Sequence, residues 1–258
     1  MKSVRPKKAL GQHFLTNEDT ASRIAATLDP WRSLPAIEVG PGMGVLTKYL
    51  LDAGIDLKVA EIDDESIEYL RYNFPQLQGR ILAADFLKLP LDKPFPDAPR
   101  ICVIGNYPYN ISSQIFFHIL DWKDRVEAVS GMLQREVAER LAAPAGTKAR
   151  GILSVLLQAW WNVEYLFTVP PTEFNPPPKV ESGVIVMSRN GRTSLGCDEK
   201  AFRTVVKTAF GQRRKTLRNS VKPLLPPGTP VPDSPLMALR PEQLTVEQFV
   251  ELTNLLRP

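Results

Sequence analysis

The sequence predicts an α/β domain on a largely parallel sheet, followed by a small helical domain. Three observations predict it. Between about residues 36 and 190, short apolar runs alternate with amphipathic stretches, as when strands are joined by crossover helices. A loop with glycines at 40, 42 and 44 joins the first of those strands to the first of those helices. Past residue 200, apolar residues recur only at helical spacing.

The elements follow in order. A helix is expected around Asp19–Leu28, ahead of the first strand. Strands are expected at Ala36–Val39, Leu57–Ile62, Arg80–Ala83, Arg100–Ile104, Ala128–Leu133, Val163–Val169 and Gly183–Ser188. Helices fill the gaps at Leu46–Ala53, Glu65–Asn73, Ser113–Leu120, Arg135–Ala142 and Ile152–Trp160. Gly191–Lys200 lacks periodicity and reads as a linker, which sets the domains at 1–190 and 191–258. Beyond it, Phe202, Val205, Val206, Ala209 and Phe210 form one helical stripe. Residues 223–235 hold six prolines and exclude a helix or a central strand. Thr245, with Gln248 three residues on, caps a last helix whose apolar stripe is Phe249, Leu252, Leu255 and Leu256.

Composition narrows the function classes. The chain has 258 residues, 43% of them hydrophobic and 23% charged, enough apolar material for a sizeable core. No run of about 18 apolar residues occurs, and the first residues lack the apolar stretch of a secretory signal. Two cysteines and two histidines argue against a disulfide framework and against a metal centre. A cytoplasmic, metal-free protein is expected. The charge is segregated. Residues 1–17 carry Lys2, Arg5, Lys7 and Lys8 and no acid, and residues 200–222 carry eight basic residues and no acid. Against +4 overall, that leaves −8 on the remainder. Two basic blocks on an acidic body point to a polyanion such as nucleic acid; a solvated helix face is the plainer alternative.

The glycine loop carries the first chemical signal. Its spacing is G-x-G-x-G, not the G-x-G-x-x-G of pyrophosphate binding, because position 45 is Val. A ligand without phosphates fits better, and S-adenosylmethionine is the common case. Glu61 ends the second strand, 21 residues past Gly40, where an acid accepts ribose hydroxyls. Asp85 ends the third, where a carboxylate can accept from an adenine amino group. The fourth strand runs into Asn106-Tyr-Pro-Tyr109. An adenine amine is a weak nucleophile because its lone pair is delocalised into the ring. The Asn106 amide oxygen and the Pro108 carbonyl can accept its hydrogens, while Tyr109 stacks on the base. Phe174, before three consecutive prolines, is expected to hold the other face of the base.

Five motifs in order carry a resemblance over nearly the whole chain. They are Gly11-Gln-His-Phe-Leu15, Glu38–Gly44, Asn106–Tyr109, Phe174–Ser182, and the run from Ala209 to Ser220 with its Gln212-Arg-Arg-Lys-Thr216 core. Together they resemble the ribosomal RNA adenine dimethylase family, in its small-subunit branch. The resemblance implies a class I S-adenosylmethionine-dependent methyltransferase fold, Rossmann-like, with seven strands of which the last is antiparallel, and an all-α C-terminal domain. It implies a monomer that dimethylates N6 of two adjacent adenosines near the 3′ end of 16S rRNA in the 30S subunit, with no metal and no membrane. The methyl-donor contacts would fall on His13, Leu15, Gly40, Glu61, Asp85 and Asn106. The catalytic set would be Asn106, Pro108, Tyr109 and Phe174, and Arg213, Arg214, Lys215 and Arg218 would contact rRNA. Two positions depart from the family pattern: His13 stands where Asn is usual, and Tyr107 where Leu or Ile is usual. The large-subunit branch typically lacks the proline after the first glycine and the Gln212–Thr216 run, both present here. A non-catalytic RNA-binding protein would not need an intact Asn106, Pro108 and Tyr109, and a DNA adenine methyltransferase would need a larger sequence-reading domain.

Overall fold

The computed structural model describes residues 4–7 and 10–256. Lys2 and Lys8 of the first basic block lie outside them. The chain runs β1 (Phe14–Leu15), α1 (Glu18–Ala26), β2 (Ala36–Val39), α2 (Val45–Asp52), β3 (Leu57–Glu61), α3 (Asp64–Asn73), β4 (Ile81–Ala83), β5 (Ile101–Asn106) and α4 (Ser112–Asp121). It continues through β6 (Val126–Gln134), α5 (Arg135–Ala142), α6 (Ile152–Gln158), β7 (Trp161–Val169), β8 (Phe174–Asn175) and β9 (Ser182–Arg189). The last helices are α7 (Glu199–Gly211), α8 (Leu217–Ser220) and α9 (Val246–Leu255). All seven expected strands form, within two residues at each end.

Seven strands make one sheet in the order β4-β3-β2-β5-β6-β9-β7. The pairs among β2 to β6 are parallel, and β9 lies antiparallel to β6. Successive side chains on a strand point to opposite faces. One face therefore collects Ala36, Leu57 and Val59, Cys102 and Ile104, Ala128 and Met132, and Val184, packed against Ile24 of α1 and Leu46 and Leu50 of α2. Strand order reverses at β2, whose neighbours are β3 and β5, and such a switch point opens a crevice at the carboxyl ends of the strands. Apart from this sheet, β1 and β8 form a two-residue antiparallel ladder pairing Phe14 with Asn175 and Leu15 with Phe174. Two residues leave no readable period, so this pairing has no signature in the sequence.

By their contacts the residues gather into two compact units, Met1–Ala138 with Glu164–Ser188, and Glu139–Val163 with Arg189–Pro258. Residues 139–163, placed by their pattern in the first domain, thus gather with the carboxyl-terminal segment. In that second unit, α7 starts on Asp198, whose side chain accepts from the Ala201 N–H, and it buries Phe202, Val205, Val206 and Ala209. The expected capping box at Thr245 and Gln248 forms, with both reciprocal hydrogen bonds. Phe210 stacks on Phe249 with centroids 6.0 Å apart. Leu255 departs from the expected stripe and stands 39% exposed.

Candidate active site

A cavity of ≈ 330 Å³ opens at the carboxyl ends of β2 to β5. Its walls include the loop after β2, Glu61 and Ile62 after β3, Asp85 after β4, and Asn106 to Ile111 after β5, with Leu10 to Leu15 laid along one side. It therefore brings together His13, Leu15, Gly40, Glu61, Asp85, Asn106, Pro108 and Tyr109 from the residues singled out in the sequence. The volume is ordinary for a small-molecule site, and the walls are largely apolar with a few convergent polar groups.

The glycine loop admits a ligand because its backbone bends where other residues cannot follow. Gly42 has φ 55°, and a Cβ there would lie 2.8 Å from the Phe14 ring. Its N–H donates to Glu61 Oε2 at 3.2 Å, while Glu61 Oε1 accepts from the backbone of Ile62 at 2.8 Å and Asp63 at 3.0 Å. Burial pushes the Glu61 carboxyl above its ordinary value, and the three backbone N–H groups hold it partly back. A carboxylate offers about four acceptor positions, so Glu61 keeps capacity for a hydroxyl-bearing ligand. Glu38, only 1% exposed, accepts from the Thr47 hydroxyl at 2.6 Å, and desolvation pushes its carboxyl up to about 8. Asp85 Oδ1 caps the short turn after β4 by accepting from Leu87 N–H at 3.0 Å.

The other half of the cavity is built on Asn106–Tyr109. The Asn106 amide nitrogen donates to the His13 carbonyl at 3.0 Å, which commits that end of the amide and directs Oδ1 the other way. The Pro108 carbonyl accepts from Ile111 N–H at 3.2 Å, closing a turn, and a carbonyl has a second lone pair to offer. Tyr107, the unusual residue, is buried; its O–H donates to the Ser130 carbonyl at 2.7 Å and its ring meets Phe116 edge-on. It fits because Gly131 carries no side chain: a Cβ there would lie 2.8 Å from the Tyr107 ring. His13 Nδ1 donates to the Pro176 carbonyl at 2.8 Å, and its ring stacks on Tyr109 with centroids 5.5 Å apart and planes 27° apart.

The remaining expected residues lie elsewhere. Phe174 is 4% exposed and belongs to the core beneath β1, where it pairs with Leu15. It is not among the residues that line the cavity. Arg213, Arg214 and Lys215 sit on the turn between α7 and α8, and Arg218 on α8, so they do not share one helix. The Arg213 guanidinium donates to the Lys148 carbonyl, and Arg214, Lys215 and Arg218 are exposed.

Two contacts at the site carried no signal in the sequence. Asp63 ties down the amino-terminal segment: its carboxylate accepts from Lys7, from Gln12 at 3.2 Å and from Ser66 at 3.0 Å. Burial opposes its charge, but these hydrogen bonds outweigh that and hold the Asp63 carboxyl below its ordinary value. Ser182 bonds the Tyr109 hydroxyl. Both contacts join residues more than fifty positions apart, so no local pattern marks them.

The comparisons with known proteins agree on one family. The family model for ribosomal RNA adenine dimethylase matches residues 4–257. A ribosomal RNA small subunit methyltransferase A from Parabacteroides distasonis is 65% identical over 253 residues, covering 98% of this chain and 94% of that one. One of the same name from Porphyromonas gingivalis is 59% identical over the whole of both chains. Among solved structures, a dimethyladenosine transferase from Plasmodium falciparum superposes with TM-score 0.75 at 22% identity, covering 93% of this chain and 96% of that one. The 23S rRNA methyltransferase ErmE gives 0.68 at 24%, covering 93% and 99%. These two likenesses concern the fold.

Proposed function

The chain belongs to the ribosomal RNA adenine dimethylase family, and on that premise we propose that it transfers methyl groups from S-adenosylmethionine to N6 of two adjacent adenosines near the 3′ end of 16S rRNA. The observation that carries this reading is the convergence, in one cavity, of the Glu61 carboxylate with the Asn106 amide and the Pro108 carbonyl.

The residues fit the methyl donor. Gly40 and Gly42 let the backbone come close, Glu61 accepts from ribose hydroxyls, and Asp85 accepts from the adenine amino group beside the apolar Ile62 and Phe86. His13, Leu15 and Asn106 border the methionine end. When bound, the donor supplies an activated sulfonium methyl, so no strong general base is needed. Asn106 Oδ1 and the Pro108 carbonyl accept the N6 hydrogens of the target base, which draws electron density onto nitrogen and aims its lone pair. As the N–CH₃ bond forms, the S–CH₃ bond breaks with its electron pair left on sulfur, and N6 releases a proton to solvent. Tyr109 holds the base by stacking. Positioning of this kind supplies most of the acceleration.

In the same reading, residues 1–190 are the catalytic domain and residues 191–258 the rRNA-binding one. Arg213, Arg214, Lys215 and Arg218 neutralise rRNA phosphates, and the enzyme works as a cytoplasmic monomer on the 30S subunit. Among the described residues no helix is long and apolar enough to cross a membrane. The test is to incubate the protein with isotopically labelled methyl donor and undermethylated 30S subunits and map the modified bases. Dimethyladenosine at two adjacent 16S positions is the expected result. Label on other bases, or only on 23S rRNA, overturns the proposal.

A further inference from the structure

We propose that Ser182 is a positioning residue for methyl transfer, acting by holding the phenol tip of Tyr109 and thereby setting the plane on which the target base stacks. The inference rests on the function proposed above. Tyr109 borders the cavity, whereas Ser182 is 0% exposed and stands behind it at the start of β9. The Ser182 hydroxyl meets the Tyr109 hydroxyl in a hydrogen bond. Ser182 is itself rigidly placed. It pairs with Gln134 of β6, and the residue before it is held twice by Arg135. The Arg135 N–H donates to the Glu181 carbonyl at 3.0 Å and its guanidinium meets the Glu181 carboxylate at 2.6 Å.

A phenol ring has two faces. His13 takes one of them, and the His13 ring is fixed in turn through Pro176. A base can therefore use only the other face. A stacked base is only as well placed as the ring that supports it. The Tyr109 ring is held at one face by His13 and at its tip by Ser182. The demand is greatest for the second methyl, when the monomethylated amine must turn to present its lone pair again. If Tyr109 swings, the intermediate escapes.

The experiment uses the full-length protein with undermethylated 30S subunits and compares wild type, Ser182→Ala, Tyr109→Phe and the double variant. Turnover, methyl-donor affinity by calorimetry, and the ratio of N6-monomethyl- to N6,N6-dimethyladenosine by mass spectrometry are measured. A buried hydrogen bond of about 0.5–1.5 kcal/mol corresponds to a fall in kcat of about 2- to 12-fold. Each single variant should show that fall, with donor affinity unchanged and a higher monomethyl fraction. The double variant should be no worse than the poorer single, because both substitutions remove one bond. Ser182→Thr, which keeps the hydroxyl, should restore the wild-type product ratio. A wild-type rate and ratio for Ser182→Ala, or additive losses in the double variant, overturns the inference while the function stands. Absence of adenosine methylation by the wild type overturns both, and is read in a separate lane.

Discussion

The two halves of the cavity are built differently. Around Glu38 and Glu61 the contacts are local: Glu61 is held by residues 1, 2 and 19 positions away, and Glu38 by Thr47, nine away. Around Asn106, Tyr109 and His13 they are remote. Asn106 reaches His13 across 93 positions, Tyr109 reaches Ser182 across 73, and His13 reaches Pro176 across 163. A strand, its following loop and the next strand fold as one supersecondary unit, so the glycine loop and Glu61 need little else to meet. The Asn106–Tyr109 half takes this form only after the amino-terminal segment and the β8–β9 region have both docked on the sheet. Damage to distant packing should therefore fall on base handling before it falls on donor binding.

The largest effect is expected from Phe174→Ala. Truncating a buried phenylalanine in a core typically costs about 3–5 kcal/mol, and here it also loosens the β1–β8 ladder beneath His13. Denaturant unfolding should show that loss, with methylation falling more than donor affinity. Unchanged stability together with slowed methylation would instead return Phe174 to a stacking role.

A pH effect sharpens the donor side. Desolvation raises the Glu38 carboxyl from an ordinary value near 4.5 to about 8, so between those values the unfolded chain has released a proton that the folded chain retains. Glu38 should make stability fall as pH rises through that window, by at most about 1.4 kcal/mol per unit for this one group, and level off above it. Glu61 shifts in the same direction, also through burial. Thermal unfolding from pH 4.5 to 8.5 should show the decline, and Glu38→Gln should flatten it. A Glu38→Gln curve as steep as the wild type's would assign the slope to other groups.

Glu61→Ala comes next. Loss of charge-assisted hydrogen bonds costs about 1.5–3 kcal/mol, so calorimetric affinity for the methyl donor should drop about tenfold or more. Equal affinity in a folded variant would remove Glu61 from the ribose site. Smallest for the cavity itself is the fourfold replacement of Arg213, Arg214, Lys215 and Arg218 by Ala. Neither half should register it in donor affinity, whereas subunit binding should lose up to about 0.7–0.9 in log–log salt slope for each phosphate contact removed. A salt slope unchanged from wild type would take these residues off the interface.

The expectations that held and those that shifted divide along the same line as the cavity. Each sheet strand is announced by its own apolar run, and Gly40, Glu61, Asp85 and Asn106 by standing at strand ends, so their convergence follows once the sheet is parallel. Phe174 was expected against the base because its loop is stiff with proline, but stiffness says nothing about which way a ring faces. The structure buries Phe174, with its backbone paired to Leu15. Leu255 satisfied the helical spacing of α9 yet remains exposed, because period marks a face and not what covers it. Tyr107 looked like a departure from pattern until Gly131, a strand away, proved to leave space for its ring.

By itself the sequence determined the class of fold, the order of its elements and the standing of Gly40, Glu61 and Asp85 at strand ends, since those depend on periodicity, turn chemistry and neighbours within one supersecondary unit. Tertiary structure alone decided the setting of Tyr109 between His13 and Ser182, the anchoring of the amino-terminal segment on Asp63, and the burial of Phe174. The physical reason is that a side chain's partners across a packed sheet are chosen by shape and by the need to satisfy buried polar groups. Neither leaves a period in the chain.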